Sequence, residues 1–203
     1  MYKVFFKGSY FLLTDLLPNR ENPIGSYSKS HEYRTKKKLG NFVFSLLDSA
    51  QSFQAVIFAA DVEFLLVTFC RLFLNFQAAG GVVLNQGHVL VIKRFGLYDL
   101  PKGHLEKDEA VDECALREVE EECGIKGLRL GRPLTPTFHI YYLNREPCLK
   151  TTHWFAMECP DGQTPMPQTD EGIDEALWLD VREIPTILHQ TYDSLRVIWE
   201  MIK

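Results

Sequence analysis

No two of the five cysteines (Cys70, Cys114, Cys123, Cys148, Cys159) stand as a CxxC pair, and their number is odd. That argues against a disulfide framework and fits a reducing compartment. The opening stretch MYKVFFKGSY carries no signal-peptide cleavage pattern. Long hydrophobic runs are missing too. The most apolar stretch, FLLVTFCRLFLNF, is broken by Arg71 and preceded by Asp61 and Glu63, too interrupted to span a bilayer. Basic charge is in short supply: the formal net charge is -5, which argues against broad nucleic-acid binding. A cytoplasmic protein with no membrane or nucleic-acid duplex partner is expected. There is also no internal repeat and no low-complexity tract.

What is present divides unevenly. Eleven of the fourteen phenylalanines lie at or before Phe76. Residues 1–75 carry nine Lys/Arg and six Asp/Glu, and the rest carry thirteen and twenty-one. A boundary near residue 76 follows, with a small N-terminal α/β domain over 1–76 and a second domain over 77–203. The 203 residues suffice for two small domains or one large one.

In the first segment KVFF and YFLLT flank KGS and predict a hairpin. PNRENPIGSYSKS is rich in turn formers and predicts a loop. KKKLGNFVFSLLDSA predicts a helix, QAVIFA a strand, and DVEFLLVTFCRLFLNF a helix opening near Asp61. Arg34, Lys36, Lys37 and Lys38 form a basic cluster, read as a solvated surface. In the second segment AAGGVVLNQGHVLVIKRF predicts two strands around a turn at Asn85–Gly87. A loop, GLYDLPKGHLEKDE, leads into the helix AVDECALREVEEEC, stopped by Gly124. FHIYYL and KTTHWFAME predict a strand pair, EALWLDV a strand, and TYDSLRVIWEMI a closing helix.

The stretch from Glu118 to Glu122 holds four glutamates and one apolar residue, Val119. At about 100° per residue, Glu121 falls about 60° to one side of Glu118 and Glu122 about 40° to the other. Glu120 falls on the far side. Three carboxylates thus share one face, beside an apolar stripe of Ala115, Leu116, Val119 and Cys123. Like charges at this spacing weaken a helix by a few tenths of a kcal/mol. They also sit toward its C-terminal end, where the dipole disfavours anions. A solvated acidic face would have the same composition. A cluster of hard oxygens also suits Mg²⁺ or Mn²⁺.

The context narrows the choice. Gly103, Glu109, Arg117, Glu118, Val119, Glu121, Glu122, Gly124 and Ile125 satisfy G-x5-E-x7-R-E-U-x-E-E-x-G-U at every position, U being a bulky aliphatic residue. This resembles the signature of the Nudix hydrolases. The resemblance covers 77–203 and implies a mixed sheet between helices, an α/β/α sandwich of the α/β (α+β) class. It implies that Glu118, Glu121 and Glu122, with the backbone carbonyl of Lys102, hold Mg²⁺ or Mn²⁺. It implies a structural pair, Glu109 and Arg117, and two backbone-permissive glycines, Gly103 and Gly124. Eight residues of straight helix would hold Glu109 and Arg117 about 12 Å apart, so Glu109 must lie where the loop folds back. The activity implied is hydrolysis of a diphosphate bond in a nucleoside diphosphate derivative. The resemblance also implies a general base that is either a glutamate of the box or a residue of the later loop QTDEGIDEALWL, where Glu171, Asp174 and Glu175 are the candidates and the two glutamates are preferred.

The flanks bear on the substrate. LPKG, with Lys102 where many relatives have glycine, resembles the dinucleoside polyphosphate branch. Tyr141 and Tyr142 stand sixteen and seventeen residues beyond Ile125, where that branch has a tyrosine. Arg94, Lys102, Tyr142 and Lys150 are therefore the candidate substrate-binding residues, with Lys93 beside them. ADP-ribose, another nucleotide sugar, or a non-catalytic nucleotide sensor are the alternatives. The N-terminal segment lies outside the resemblance. With Phe64, Leu65, Phe69, Leu72, Phe73 and Phe76 expected on one helix, it is expected to pack against the second domain or a second subunit as a homodimer.

Overall fold

The computed structural model describes residues 1–16 and 29–202. The loop expected over 18–30 lies, apart from Lys29 and Ser30, outside the described residues. The chain forms two compact units: Met1–Phe76 with Phe138–Lys150, and Gln77–Thr137 with Thr151–Lys203. The segment 138–150 thus groups with the N-terminal residues, although 61 residues of chain separate it from Phe76.

The first unit opens with β1 (Tyr2–Phe6) and β2 (Ser9–Thr14), an antiparallel pair as the hairpin reading expects, with Val4 facing Phe11. The hairpin turns through Lys7 and Gly8 at φ 45° and 74°, where glycine carries no Cβ penalty. Next come β3 (Lys29–Glu32), α1 (Lys36–Leu47), β4 (Gln54–Phe58) and α2 (Val62–Cys70). Thr35 caps α1 by accepting from the Lys38 N–H, and Asp61 caps α2 by accepting from the Phe64 N–H. Strand β4 runs parallel to both β2 and β3. Alternate strand residues face the helices: Val4 and Phe6, Phe11 and Leu13, Ala55 and Ile57 join Leu39, Val43, Leu65 and Phe69 in one core.

Helix α2 is shorter than the sequence suggests. It ends at Cys70, and β5 (Leu74–Asn85) begins four residues later. The Asn75 amide donates to the carbonyls of Cys70 and Phe73, closing the turn between them. Leu72, Phe73 and Phe76 are therefore not on the helix. Phe73 still joins the core, its ring tilted against that of Phe69 with centroids 5.4 Å apart.

The second unit continues with β6 (His88–Arg94), β7 (Leu97–Asp99), β8 (Lys102–His104), α3 (Val111–Cys123) and β9 (Arg129–Pro133). The loop expected at 96–109 therefore contains two short strands. Strands β10 (Thr137–Leu143) and β11 (Glu146–Glu158) follow, joined through Asn144 and Arg145 at φ 51° and 69°. The last strand is β12 (Ile173–Asp180), and α4 (Ile184–Ile187) and α5 (Arg196–Trp199) close the chain. The closing helix is thus a single α turn entered by a 3-10 turn at Asp193–Leu195, shorter than expected. Thr191 explains part of this: its hydroxyl donates to the Tyr98 carbonyl and accepts from the Trp199 indole, tying the segment down.

In this unit the strand order is β12-β6-β5-β11. In the first unit it is β10-β1-β2-β4-β3, with β1 and β10 parallel, Val4 facing Phe138. The sheet is mixed. In β6 the alternation separates two layers. Leu90 and Ile92 face α3 with Ala115, Val119 and Cys123, whereas Val89 and Val91 face the C-terminal turns with Leu195, Ile198 and Trp199. The second unit is therefore a helix–sheet–helix stack. Among the described residues, no helix is long and apolar enough to cross a membrane.

Candidate functional site

The site is built on α3 and on the chain that enters it. Asp112 and Glu113 sit in the first turn, where the dipole favours acids, and the Glu113 carboxylate accepts from the Ala110 N–H. Gly124 ends the helix at φ 63°. Cys114, Ala115, Val119 and Cys123 are buried against the sheet, while Leu116 is only half-buried. Glycines let the sheet come close. A Cβ on Gly81 would lie 2.5 Å from the Met157 sulfur and 3.0 Å from Val119, and one on Gly80 would lie 2.3 Å from the Pro101 carbonyl oxygen. Strand β8 pairs with β5 there, Lys102 facing Gly80 and Gly103 facing Ala79.

The three glutamates differ in surroundings. Glu118 is 8% exposed and Glu122 is 1% exposed, whereas the Glu121 side chain is 50% exposed. Burial raises the Glu118 carboxyl, an effect that Arg117 opposes. Burial also pushes the Glu122 carboxyl up to about 7, against the pull of Lys102. The Lys102 N–H donates to Glu122 Oε2 at 2.8 Å. Gly103 lies directly under Glu118: a Cβ there would be 1.9 Å from its Oε2, so any other residue would push the carboxylate aside.

Arg117 organises the loop. It donates from Nε and Nη2 to the two Glu109 oxygens at 2.7 and 2.9 Å, and from Nη2 to the His104 carbonyl at 3.2 Å. Glu109 precedes α3, so the loop folds back as the pairing requires. These bonds hold the Glu109 carboxyl down at about 2. The Arg117 Nη1 lies between Glu118 at 2.8 Å and Glu121 at 3.0 Å. A positive group thus already bridges two of the three candidate ligands.

Among the described residues, no set of three acidic, His or Cys side chains is gathered at metal-holding spacing. The donor chemistry nevertheless fits a hard divalent cation. Two desolvated carboxylates and a third on the same face require positive charge. The guanidinium between Glu118 and Glu121 shows where such charge is accepted.

The remaining candidates are spread out. The Lys102 ammonium is bonded to Asp99 at 2.6 Å, inside the protein. Glu175 pairs with Lys93 at 3.2 Å, and Lys93 also lies over the Tyr98 ring. The charge of Glu171 reaches Glu118, while Arg94 stacks on Phe95 at 5.6 Å. Tyr142 and Lys150 belong to the first unit. There Tyr142 meets Phe6 edge-on at 6.0 Å, and Lys150 acts electrostatically on His139. A polar depression lined by Asn85, Gln86, His88, Gly162, Gln163 and Trp178 includes none of the candidate residues.

Sequence reasoning missed two contributors. One is Asp99, signalled only by an acid three residues before Lys102. The other is the strap 163–168, whose Met166 and Gln168 N–H groups donate to the Cys123 and Glu122 carbonyls and satisfy the end of α3. No sequence pattern marks the strap.

The chain and its fold resemble known proteins. A relative carrying the mutator-protein name MutT4, from Mycobacterium tuberculosis, is 34% identical over 92 residues, 45% of this chain. The chain matches 36% of that relative's length. The crystal structure of the MutT protein from Methanosarcina mazei Go1 superposes with a TM-score of 0.51 at 19% identity, covering 64% of this chain and 94% of that one. A C. elegans Ap4A hydrolase complex is more distant, with a TM-score of 0.47 at 18% identity, covering 63% of this chain and 92% of that one. The model of the NUDIX domain matches residues 74–197, more than half the chain and the whole of the loop–helix site. The chain therefore belongs to the NUDIX family.

Proposed function

We propose that this protein hydrolyses a diphosphate bond in a nucleoside diphosphate derivative, using Mg²⁺ or Mn²⁺. The observation that carries the reading is the pair of buried carboxylates, Glu118 and Glu122, with Glu121 on the same helix face. They would hold the cation together with the Lys102 carbonyl. A divalent ion there would neutralise phosphate charge and lower the pKa of a coordinated water.

The chain's own residues would do the positioning. The Lys102 N–H fixes the Glu122 carboxylate, and Arg117 fixes Glu118 and Glu121. For the proton of the attacking water, Glu171 is the better of the two later glutamates. Glu175 is engaged by Lys93, whereas Glu171 lies close enough to act on Glu118. Within the substrate class, a dinucleoside polyphosphate is favoured by the LPKG sequence at 100–103 and by the cations Lys93 and Arg94 on β6. The activity is assigned to the second unit.

The test is a panel of dinucleoside polyphosphates, ADP-ribose and nucleotide sugars, incubated with Mg²⁺ and followed by product release. Metal-dependent cleavage of at least one is expected, falling by orders of magnitude in Glu121→Gln. Full turnover in that folded variant sinks the metal assignment. Tight binding of one ligand with no product from any would make the protein a sensor instead. For the base, Glu171→Gln is expected to slow turnover more than Glu175→Gln. Unchanged rates in both return the role to the box.

A further inference from the structure

Lys102 presents a difficulty within the second unit. Its backbone N–H donates to Glu122 Oε2 at 2.8 Å, so its side chain starts beside the most buried carboxylate of the site. A lysine ammonium left free there would pair with Glu122 directly and occupy the place of a cation. It does not. The ammonium turns to Asp99, 2.6 Å away, and reaches the Leu100 carbonyl at 3.4 Å. Glu122 receives only the backbone bond from this residue.

Asp99 is well built for that task. Its side chain is 5% exposed and that of Lys102 is 16% exposed, so the pair is nearly dry and solvent screens it little. The second Asp99 oxygen accepts the Leu100 N–H at 2.8 Å, fixing the carboxylate in orientation. Strand β7 holds Asp99 opposite Ile92, and β8 holds Lys102 opposite Gly80, so both ends are anchored in the sheet. Of the other charged groups that act on the ammonium, Glu122 attracts it and Arg94 repels it.

We propose that Asp99 is a positioning residue: it draws the Lys102 ammonium away from Glu122 and so keeps that carboxylate open to a divalent cation. The inference rests on the metal-site reading above. It predicts that Lys102 harms the site when Asp99 is lost, and that removing both side-chain charges repairs it. Lys102→Met keeps the backbone N–H and carbonyl, so the repair leaves the rest of the site in place.

The experiment measures Mn²⁺ binding to the full chain by the electron-spin signal of free Mn²⁺, without substrate. Glu122→Gln comes first. If it leaves Mn²⁺ binding intact, the metal assignment fails and the positioning role falls with it. If binding is lost, Asp99→Asn and Asp99→Ser are compared with wild type, and each is expected to bind about tenfold more weakly. The double variant Asp99→Asn, Lys102→Met is expected to return to within about threefold of wild type. Unchanged binding in the single variants overturns the proposal. So does weak binding in a folded double variant, because Asp99 would then act through the fold alone. Should both single variants fail to fold, a folded double variant with wild-type binding supports the proposal. A double variant that also fails to fold overturns it, since no ammonium is left to misplace.

Discussion

In the first unit Phe11 touches Phe53 at 4.8 Å and Phe69 at 5.4 Å between ring centroids, and Phe69 touches Phe73. In the second unit the helix meets the sheet without aromatic rings in its buried cluster, and several of the groups there are small: Ala79, Val83, Ala115, Val119 and Cys123, beside Leu90 and Ile92. Among the described residues no charged side chain is buried in the first unit, whereas the second unit buries Asp99, Glu118 and Glu122 with Lys102 close by. Large aromatic rings gain stability by burying area. Small residues bring backbone close to backbone, here so that Lys102 and Gly103 reach the helix carboxylates. The difference separates a core shaped by packing from one shaped by the placement of charge, which costs stability.

The sharpest way to break this contrast is Glu122→Gln. Hydrolysis of the best substrate is expected to fall about a thousandfold, and stability to change by less than about 1 kcal/mol, because a dry charge is removed. Steady-state kinetics and urea unfolding of the same sample check both. A large loss of stability would show that the carboxylate is structural. Phe11→Ala should do the reverse in the first unit, costing about 3–5 kcal/mol in urea unfolding. Gly80→Ala probes the close approach itself. Its new methyl would meet the Pro101 carbonyl, so a cost of about 2–3 kcal/mol is expected by thermal unfolding, together with weaker Mn²⁺ binding.

The smallest effect concerns acid. Burial, helped by the charge of Lys150, lowers the His139 imidazole to about 4. The ring is therefore neutral in the folded state, while the unfolded chain takes up a proton below about 6.5. Stability is present above that pH and is lost as pH falls from about 6.5 to about 4, by on the order of 2 kcal/mol. His139→Gln should flatten that part of the pH–stability curve in urea titrations. An unchanged slope would show that the ring is solvated.

Local patterns were legible in the sequence. The hairpin around Lys7–Gly8, the strand pair around Asn85–Gly87 and helix α3 with its Gly124 stop follow from spacing within a few residues, whereas the Glu109–Arg117 pair was implied by the family resemblance. The junction of α2 and β5 was not legible, since CRLFLNF is equally apolar as helix or strand. The Asn75 amide decides it, through contacts that periodicity does not encode. Within the site, the three glutamates were read from one helix face. The unequal burial of Glu121 and Glu122 was not, because it depends on how the sheet and Lys102 cover the helix. The engagement of Lys102 by Asp99 required the turn at Leu100–Pro101, and no motif records that turn.

The parallel pairing of β1 with β10 carries a consequence for synthesis. A ribosome delivers Val4 long before Phe138, Ile140 and Leu149, yet all four belong to one core. The nascent first unit therefore waits for most of the second to emerge before its last strand arrives, and closing so long an interval slows folding. Until then its edge at β1 stays open, with the neighbouring aromatic residues exposed to other chains. A gene cut between residues 76 and 77 would make that interim condition permanent. The N-terminal product would lack Phe138, Ile140 and Leu149, and is expected to aggregate where the whole chain does not.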